Sequence, residues 1–93
     1  MNNYPNPMKN QTTFMFNLSG SNIPTGCKIK IYTVAGRLIK QINASANIGY
    51  NQIPWDGKDS DGDYMANGVY LYKLIIDGDN KRETSIQKLA ILK

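Results

Sequence analysis

Apolar and polar side chains alternate with a period of two along most of this 93-residue sequence, and this alternation limits what the chain can fold into. Phe14 and Phe16 alternate with more polar residues in one segment, and Ile29 and Ile31 alternate with lysines in the next. Because successive side chains of a β-strand point to opposite faces of a sheet, the pattern indicates strands with one buried face. The sequence has no long helical period, so it predicts an all-β fold.

Turn residues divide the alternating pattern into six or seven short strands, which is typical of an antiparallel β-sandwich. Gly36 predicts a tight hairpin between the two strands beside it, because glycine adopts a positive φ without steric cost. Pro54 has no N–H to donate and predicts an edge strand or a strand end. Bulky side chains on both faces of residues 68–76 predict a central strand. The Asp-Gly sequence at 77–78 predicts a turn over 77–80, before a last strand at 83–92.

The first ten residues differ in composition from the rest of the chain. They are rich in asparagine and proline, and the residue before each proline is disfavoured in the helical region. We therefore expect residues 1–10 to be an extended lead-in or linker and residues 11–93 to be a single domain with one core. The bulky residues expected in that core are Phe14, Phe16, Ile29, Ile31, Trp55, Tyr70, Tyr72 and Leu74.

The composition excludes most side-chain catalysis. The sequence has no histidine, Cys27 is its only cysteine and Glu83 its only glutamate, so neither a Ser-His-Asp nor a Cys-His arrangement is available. The same counts exclude a Cys/His metal site and an internal disulfide. We expect no catalytic residues, no cofactor and no enzymatic activity.

Charge and hydropathy narrow the range of partners. The net charge is +4, from 11 basic and 7 acidic residues, but the lysines are spread singly along the chain. A nucleic-acid-binding protein usually gathers its positive charge into a stripe, so we expect a solvated surface and no nucleic-acid partner. No apolar run approaches the roughly 20 residues of a membrane-spanning helix, and the N-terminus has no basic-then-apolar export signal.

Four of the seven acidic residues lie close together in the glycine-containing segment 56–63. Oxygen ligands at alternate positions are able to bind Ca²⁺, but the spacing does not fit an EF-hand, because Gly68 stands where the closing glutamate belongs. The other interpretation is a tight loop in which aspartates accept hydrogen bonds from backbone N–H groups. We favour the loop and keep a weak calcium site as the alternative, with candidate ligands Asp56, Asp59, Asp61 and Asp63.

The aromatic residues have two interpretations. Trp55 or Tyr50 would be a sugar-stacking platform if exposed, but a lone tryptophan in a small sandwich more often packs between the sheets. Tyr70 and Tyr72 share one face of the predicted central strand, where we expect core packing and a hydroxyl that ties down a neighbouring loop, as in a tyrosine corner. Cys27 is expected to be a small buried apolar residue.

Several short motifs follow one another in a fixed order along almost the whole chain. They are YPNP at 4–7, TTF at 12–14, IYTVAGRLI at 31–39, WDGKD at 55–59, DG at 61–62 and NGVYLYKL at 67–74. Together they resemble the FlgD-type Ig-like domain, in the version that serves as the type A C-terminal sorting domain of the type IX secretion system in Bacteroidetes-type bacteria. The ending KLAILK at 88–93 is similar to the end of that sorting signal, and YTVAG at 32–36 is most similar to gingipain-like C25 peptidases.

The resemblance implies an Ig-like or fibronectin-III-like sandwich that acts as an address for an upstream cargo domain. The outer-membrane secretion machinery would recognise the folded module, so the implied route leads through the periplasm to the cell surface or the exterior. The YPNP motif would mark the cargo boundary. The segment expected to be recognised, by shape or by strand addition, consists of Lys88, Leu89, Ala90, Ile91, Leu92 and Lys93.

Within that segment the lysines are expected to stay solvated while one of two pairs packs inward, either Leu89 with Ile91 or Ala90 with Leu92. Three other functions stay open. One is a flagellar hook-cap scaffold, since the FlgD family carries this domain. Another is a structural module that stays attached to a C25 peptidase. The third is a carbohydrate-binding module, which would need exposed coplanar aromatic rings.

Overall fold

The computed structural model describes residues 1–20, 24–78 and 81–93, and these residues form an all-β fold. Seven strands within them pair antiparallel in two sheets, which confirms the fold class predicted from the alternation. The described residues contain no helix long and apolar enough to cross a membrane. The strands are β1 (Asn2–Tyr4), β2 (Thr12–Leu18), β3 (Gly26–Thr33), β4 (Leu38–Ala44), β5 (Gly49–Trp55), β6 (Gly68–Gly78) and β7 (Lys81–Ile91).

A three-stranded and a four-stranded sheet enclose one core. The strand order is β1-β2-β5 in the smaller sheet and β4-β3-β6-β7 in the larger one. β6 lies inside its sheet, as its two bulky faces predicted, and β5 lies at an edge, as Pro54 predicted. The last strand, β7, is the outer strand of the larger sheet next to β6.

The hairpin between β3 and β4 shows how the sequence sets local structure. Gly36 adopts a φ of +96°, and its N–H donates to the carbonyl of Thr33 at 2.9 Å. The Thr33 N–H donates in turn to the carbonyl of Arg37 at 2.9 Å, which closes the turn. Since a positive φ strains a residue that carries a Cβ, the turn depends on the glycine. β3 and β4 pair antiparallel beside it, as predicted.

An aromatic cluster joins the two sheets across the core. The ring of Phe14 on β2 lies 4.8 Å from the ring of Tyr72 on β6 and 6.1 Å from the ring of Trp55 on β5, measured between centroids. Aromatic pairs at such separations contribute roughly 0.5–1.5 kcal/mol beyond the burial of their area. Of the eight residues expected in the core, Tyr70 is half-buried against it. The other seven are buried: Phe14, Phe16, Ile29, Ile31, Trp55, Tyr72 and Leu74.

The polar groups of two aromatic side chains form hydrogen bonds with loops. Trp55 is 4% exposed, and its Nε1–H donates to the carbonyl of Lys58 at 3.0 Å. Trp55 is therefore a core residue and offers no surface for stacking on a sugar. The hydroxyl of Tyr70 donates to the carbonyl of Ala66 at 2.7 Å. It holds the loop before β6 in the manner of a tyrosine corner.

The lead-in is packed into the sandwich, whereas a linker would stand apart from it. Residues 2–4 form β1, which pairs with β2, and Met8 is fully buried in the core. The peptide bonds before Pro5 and Pro7 are both cis. A linker was expected from the polar, proline-rich composition of residues 1–10, and composition carries no information on contacts with distant parts of the chain. The lead-in is part of the same folded unit as the described residues that follow it.

The strands on either side of the predicted turn at 77–80 pair along their whole lengths. Gly78 lies opposite Lys81 at one end of the pairing, and Gly68 lies opposite Ile91 at the other. Part of the turn itself falls outside the described residues. The last strand begins two residues before the start expected from sequence, at Lys81.

The burial of Tyr72 predicts that the protein loses stability in alkali. Burial raises the pKa of its phenol from 10.0 to about 12, because the core disfavours the charged phenolate. The unfolded chain therefore releases this proton at a lower pH than the folded chain. The stabilising contribution is fully present below pH 10.0 and is lost as the pH rises towards about 12.

Denaturant unfolding across this pH range should show a smaller alkaline loss of unfolding free energy for Tyr72→Phe than for the parent protein. The control is Tyr50→Phe, because the side chain of Tyr50 is 57% exposed. Its alkaline loss should equal that of the parent. The same pH dependence in all three proteins would contradict the assignment to Tyr72.

Candidate recognition surface at the end of the last strand

The end of β7 buries one set of side chains and presents the other to solvent. Leu89 and Ile91 are 1% and 3% exposed and lie in the core, whereas Lys88 is exposed. Leu92 is 62% exposed, and Ala90 is half-buried on the outer side of the strand. Because side chains alternate along a strand, the register of β7 settles which of the two expected pairs packs inward. It is Leu89 with Ile91.

The lead-in lies along the outer edge of β7 at this point. The Met8 N–H donates to the carbonyl of Ala90 at 2.8 Å, and the Leu92 N–H donates to the carbonyl of Met8 at 2.9 Å. The two bonds make a short parallel bridge between Met8 and Ile91. Met8 thus bonds to the edge of the larger sheet while its side chain fills the core between the sheets.

Asn6 adds side-chain hydrogen bonds to the same edge. Its Oδ1 accepts from the Ala90 N–H at 3.1 Å, and its Nδ2 donates to the carbonyl of Lys88 at 3.4 Å. We call Asn6 and Met8, with their hydrogen bonds to β7, the lead-in clasp. The clasp occupies the carbonyl of Lys88, both backbone groups of Ala90 and the N–H of Leu92. Recognition of this segment by strand addition would therefore require the clasp to open.

The loop after β5 is shaped to let the lead-in pass. A Cβ built on Gly57 would lie 2.5 Å from the carbonyl oxygen of Asn10 and 3.2 Å from Cε of Met8. Gly57 also has a φ of +75°, a region that residues with side chains rarely adopt. The glycine that follows Trp55-Asp56 therefore provides both the turn and the space that the clasp needs.

Two of the four aspartates in the segment 56–63 bind backbone groups. Oδ1 of Asp59 accepts from the N–H groups of Asp61 and Asp63 at 2.9 and 3.0 Å. Oδ1 of Asp56 accepts from the N–H of Lys58 at 3.1 Å. In the part of the chain that the structure describes, no three acidic, cysteine or histidine side chains come together as metal ligands. The geometry is that of a loop in which aspartates stabilise tight turns.

Tyr64 connects this loop to the end of the chain. Its ring is 57% exposed, and the ring centroid lies 5.1 Å from Nζ of Lys58 and 5.3 Å from Nζ of Lys93. A cation over an exposed ring is stabilised by roughly 0.5–1 kcal/mol. Tyr64 was not among the residues predicted from the sequence, because nothing local in the sequence links it to the last residue. We call the following exposed side chains the candidate recognition surface: Lys88, Leu92, Lys93 and Tyr64.

The chemistry of this surface suits contact with another molecule. It offers cationic, aliphatic and aromatic groups on an ordered backbone.

Cys27 lies elsewhere, in the core, where it is 3% exposed, and burial raises the pKa of its thiol. A buried thiol of this kind is unreactive, because the thiolate is the nucleophile. Cys27 is therefore a packing residue, as expected.

Residues 6–79 match the sequence profile of the FlgD Ig-like domain. The match covers more than half of the chain and includes Asn6 and Met8, the hairpin at Gly36 and the loop at 56–63. The chain belongs to the FlgD Ig-like domain family. The two antiparallel sheets described above form an Ig-like sandwich, as the motif resemblance implied. A comparison with curated protein sequences finds no match.

Solved structures with the same fold include PorU and PorZ on the one hand and FlgD on the other. The FlgD-type domain is similar to part of dimeric latent PorU from Porphyromonas gingivalis, with a TM-score of 0.84 and 23% identity over 97% of the chain. It is similar to part of PorZ from the same organism, an essential surface component of the type IX secretion system, with a TM-score of 0.63 and 22% identity over 99% of the chain. It is also similar to FlgD from P. aeruginosa, with a TM-score of 0.69 and 24% identity over 86% of the chain.

The chain spans only part of the length of each of these proteins. It spans 9% of the PorU chain, 11% of the PorZ chain and 61% of the FlgD chain. At these identities the likeness shows the fold. It identifies a compact module that larger proteins of different kinds contain.

The hydrogen bonds of Asp59 predict a loss of stability when Asp59 is replaced. This loss distinguishes the loop interpretation of the segment 56–63 from the calcium-site interpretation. Asp59→Ala removes the acceptor of two backbone N–H groups and should lower the free energy of unfolding by about 1 kcal/mol. The matched control is Asp61→Ala, whose exposed carboxylate accepts no hydrogen bond from a described residue. It should stay within about 0.5 kcal/mol of the parent.

Thermal unfolding of the parent and of both variants, with and without CaCl₂, checks this. Calcium should leave the midpoints unchanged. A calcium-dependent rise in the parent that Asp59→Ala abolishes would overturn the loop interpretation in favour of the metal site.

Proposed function

We propose that this FlgD-type domain is a non-catalytic sorting module, which marks a secreted protein for translocation across the outer membrane by the type IX secretion system. The partners are then the outer-membrane machinery and an upstream cargo domain. Its location is the periplasm in transit, and afterwards the cell surface or the exterior. The candidate recognition surface is the part that the machinery contacts.

The observation that carries this proposal is the way the end of β7 is held. Leu89 and Ile91 anchor it in the core, and Asn6 and Met8 occupy its outer edge. Residues 88–93 therefore present a fixed pattern of side chains, in which Lys88 and Leu92 point outward. A fixed pattern on ordered backbone pays little conformational entropy on binding, which favours recognition by shape and charge.

The comparisons support the proposal in two ways. PorZ contains a similar domain and is a surface component of the type IX system. The chain corresponds to a small part of PorU and of PorZ, as expected for a module attached to different larger proteins. The composition, which has no histidine and one cysteine, supports a role without catalysis.

A second candidate function is a structural scaffold, either in a flagellar hook cap or as a permanently attached module of a C25 peptidase. The similarity to FlgD from P. aeruginosa favours the hook scaffold. Both alternatives require the domain to stay attached to the larger protein of which it is a part. Sequencing the C-terminus of the mature protein separates a removed module from a retained one, and the secretion assay below separates sorting from a scaffold role.

The secretion assay uses a reporter with an N-terminal export signal fused upstream of this chain in a host with a type IX system. Deletion of residues 88–93 is a poor test, because it also removes two core side chains. The sharper variant is Lys88→Glu with Leu92→Glu, which alters exposed side chains and leaves Leu89 and Ile91 in place. We expect the variant fusion to stay in the periplasm while the unaltered fusion reaches the surface.

The matched control is Arg37→Glu with Val34→Glu, which changes one exposed cation and one exposed apolar residue in the β3–β4 hairpin. It should be displayed normally, and both variants should unfold at the temperature of the parent within a few degrees. Normal display of the Lys88/Leu92 variant would contradict the proposal. Equal retention of the two variants would also contradict it, since the effect would then not belong to this surface.

A further inference from the structure

The first half of β7 has an open outer edge. Near its end, the outward backbone groups belong to alternate residues, Lys88, Ala90 and Leu92, and these bond to the clasp. Since outward and inward hydrogen bonding alternates along an antiparallel strand, Thr84 and Ile86 also direct their N–H and C=O groups outward. No described residue bonds to these groups. An unpaired strand edge of this kind is a template for another strand.

A cleft between the two sheets opens beside this edge. β1 pairs with β2 only at residues 13–15, so it does not cover β2 beyond Met15. The clasp closes the other half of the same side of the sandwich. The uncovered half is bordered by the apolar residues Met1, Phe16, Leu18, Leu74 and Ile76 and by the polar residues Asn17, Thr84 and Ser85.

The outer face of the sheet next to this edge is cationic. Ile86, which is 62% exposed, lies opposite Lys73, and Lys73 lies opposite Lys30. Residues directly opposite each other share a face of the sheet, and like charges in such positions destabilise it. Lys88 is the next outward side chain along β7. Carboxylates placed beside this row would relieve the repulsion between its lysines.

We infer that the open half of β7 binds an extended acidic segment of a partner protein, which adds to the sheet as a further strand. Its backbone bonds to Thr84 and Ile86. Its inward side chains are apolar and enter the cleft, and its outward side chains are carboxylates that lie beside Ile86 and the row of lysines. This interaction does not depend on the sorting role, and its surface shares only Lys88 with the candidate recognition surface.

The unpaired backbone groups identify the partner as a polypeptide, because neither a lipid surface nor a nucleic acid supplies a matching row of donors and acceptors. Charge argues against a second copy of this chain. An antiparallel pairing of two β7 strands centred on Ser85 would place Lys88 opposite Arg82 of the other copy, and like charges opposite each other are unfavourable. The occupant is therefore a strand of a different, acidic protein.

The test uses the 93-residue chain and a synthetic peptide that alternates valine and glutamate, with a second peptide in which lysine replaces glutamate. Calorimetry measures affinity, and hydrogen exchange followed by NMR locates the contact. We expect the glutamate peptide to bind and to slow exchange at Thr84 and Ile86. We expect at least about tenfold weaker binding of the lysine peptide.

Two variants locate the site. Ile86→Pro removes an outward N–H that makes no bond within the sheet, so it should block strand addition while the fold is retained. Lys73→Glu should weaken binding of the glutamate peptide and strengthen binding of the lysine peptide, whereas Arg37→Glu, in the distant hairpin, should change neither.

Three results would each overturn the inference. They are equal affinity for both peptides, protection confined to other amides, and binding that survives Ile86→Pro in a folded variant. A concentration-dependent dimer that protects Thr84 and Ile86 without peptide would overturn it in favour of a second copy.

Discussion

The docking of Met8 onto β7 is the contact on which the presentation of the last strand depends. Met8 follows β1 of the smaller sheet, yet its backbone bonds to β7 of the larger sheet on both sides of Ile91, and its side chain is fully buried between the two. A sandwich of this size buries only roughly 60–70% of its unfolded surface. Closing one side with a single methionine therefore matters more than it would in a larger domain.

The clasp divides β7 into two halves with different capacities. Along residues 88–92 the clasp bonds to the Lys88 carbonyl, to both backbone groups of Ala90 and to the Leu92 N–H, so this half presents side chains on a fixed frame. Along residues 84–86 no described residue bonds to the outward backbone groups, and a cleft lined by both apolar and polar side chains lies beside them, so this half offers hydrogen bonds to another strand. One edge strand thus has one surface suited to recognition by side chains and one suited to recognition by main chain.

The sequence predicted the parts of this fold that depend on local pattern. Ile29 and Ile31 are buried because a period of two holds within one strand, and Gly36 marked its hairpin because the turn itself demands a positive φ. The clasp left a weak local trace, since Met8 is a bulky apolar side chain within the otherwise polar and proline-rich residues 5–11. Its contact with Ala90 joins opposite ends of the chain, and no local pattern encodes such a pairing. The exposure of Leu92 followed only from the register of β7 against β6.

Native-state hydrogen exchange at the amide of Leu92 tests the central claim most directly, because this N–H lies beyond the β6–β7 ladder and donates to the carbonyl of Met8. If the clasp holds the end of β7, Leu92 exchanges slowly in the 93-residue chain. It then exchanges at an unprotected rate in a folded chain that begins at Lys9, while the amides of the β3–β6 ladder stay protected. Fast exchange of Leu92 in the intact chain, or unchanged protection after removal of residues 1–8, would contradict the account.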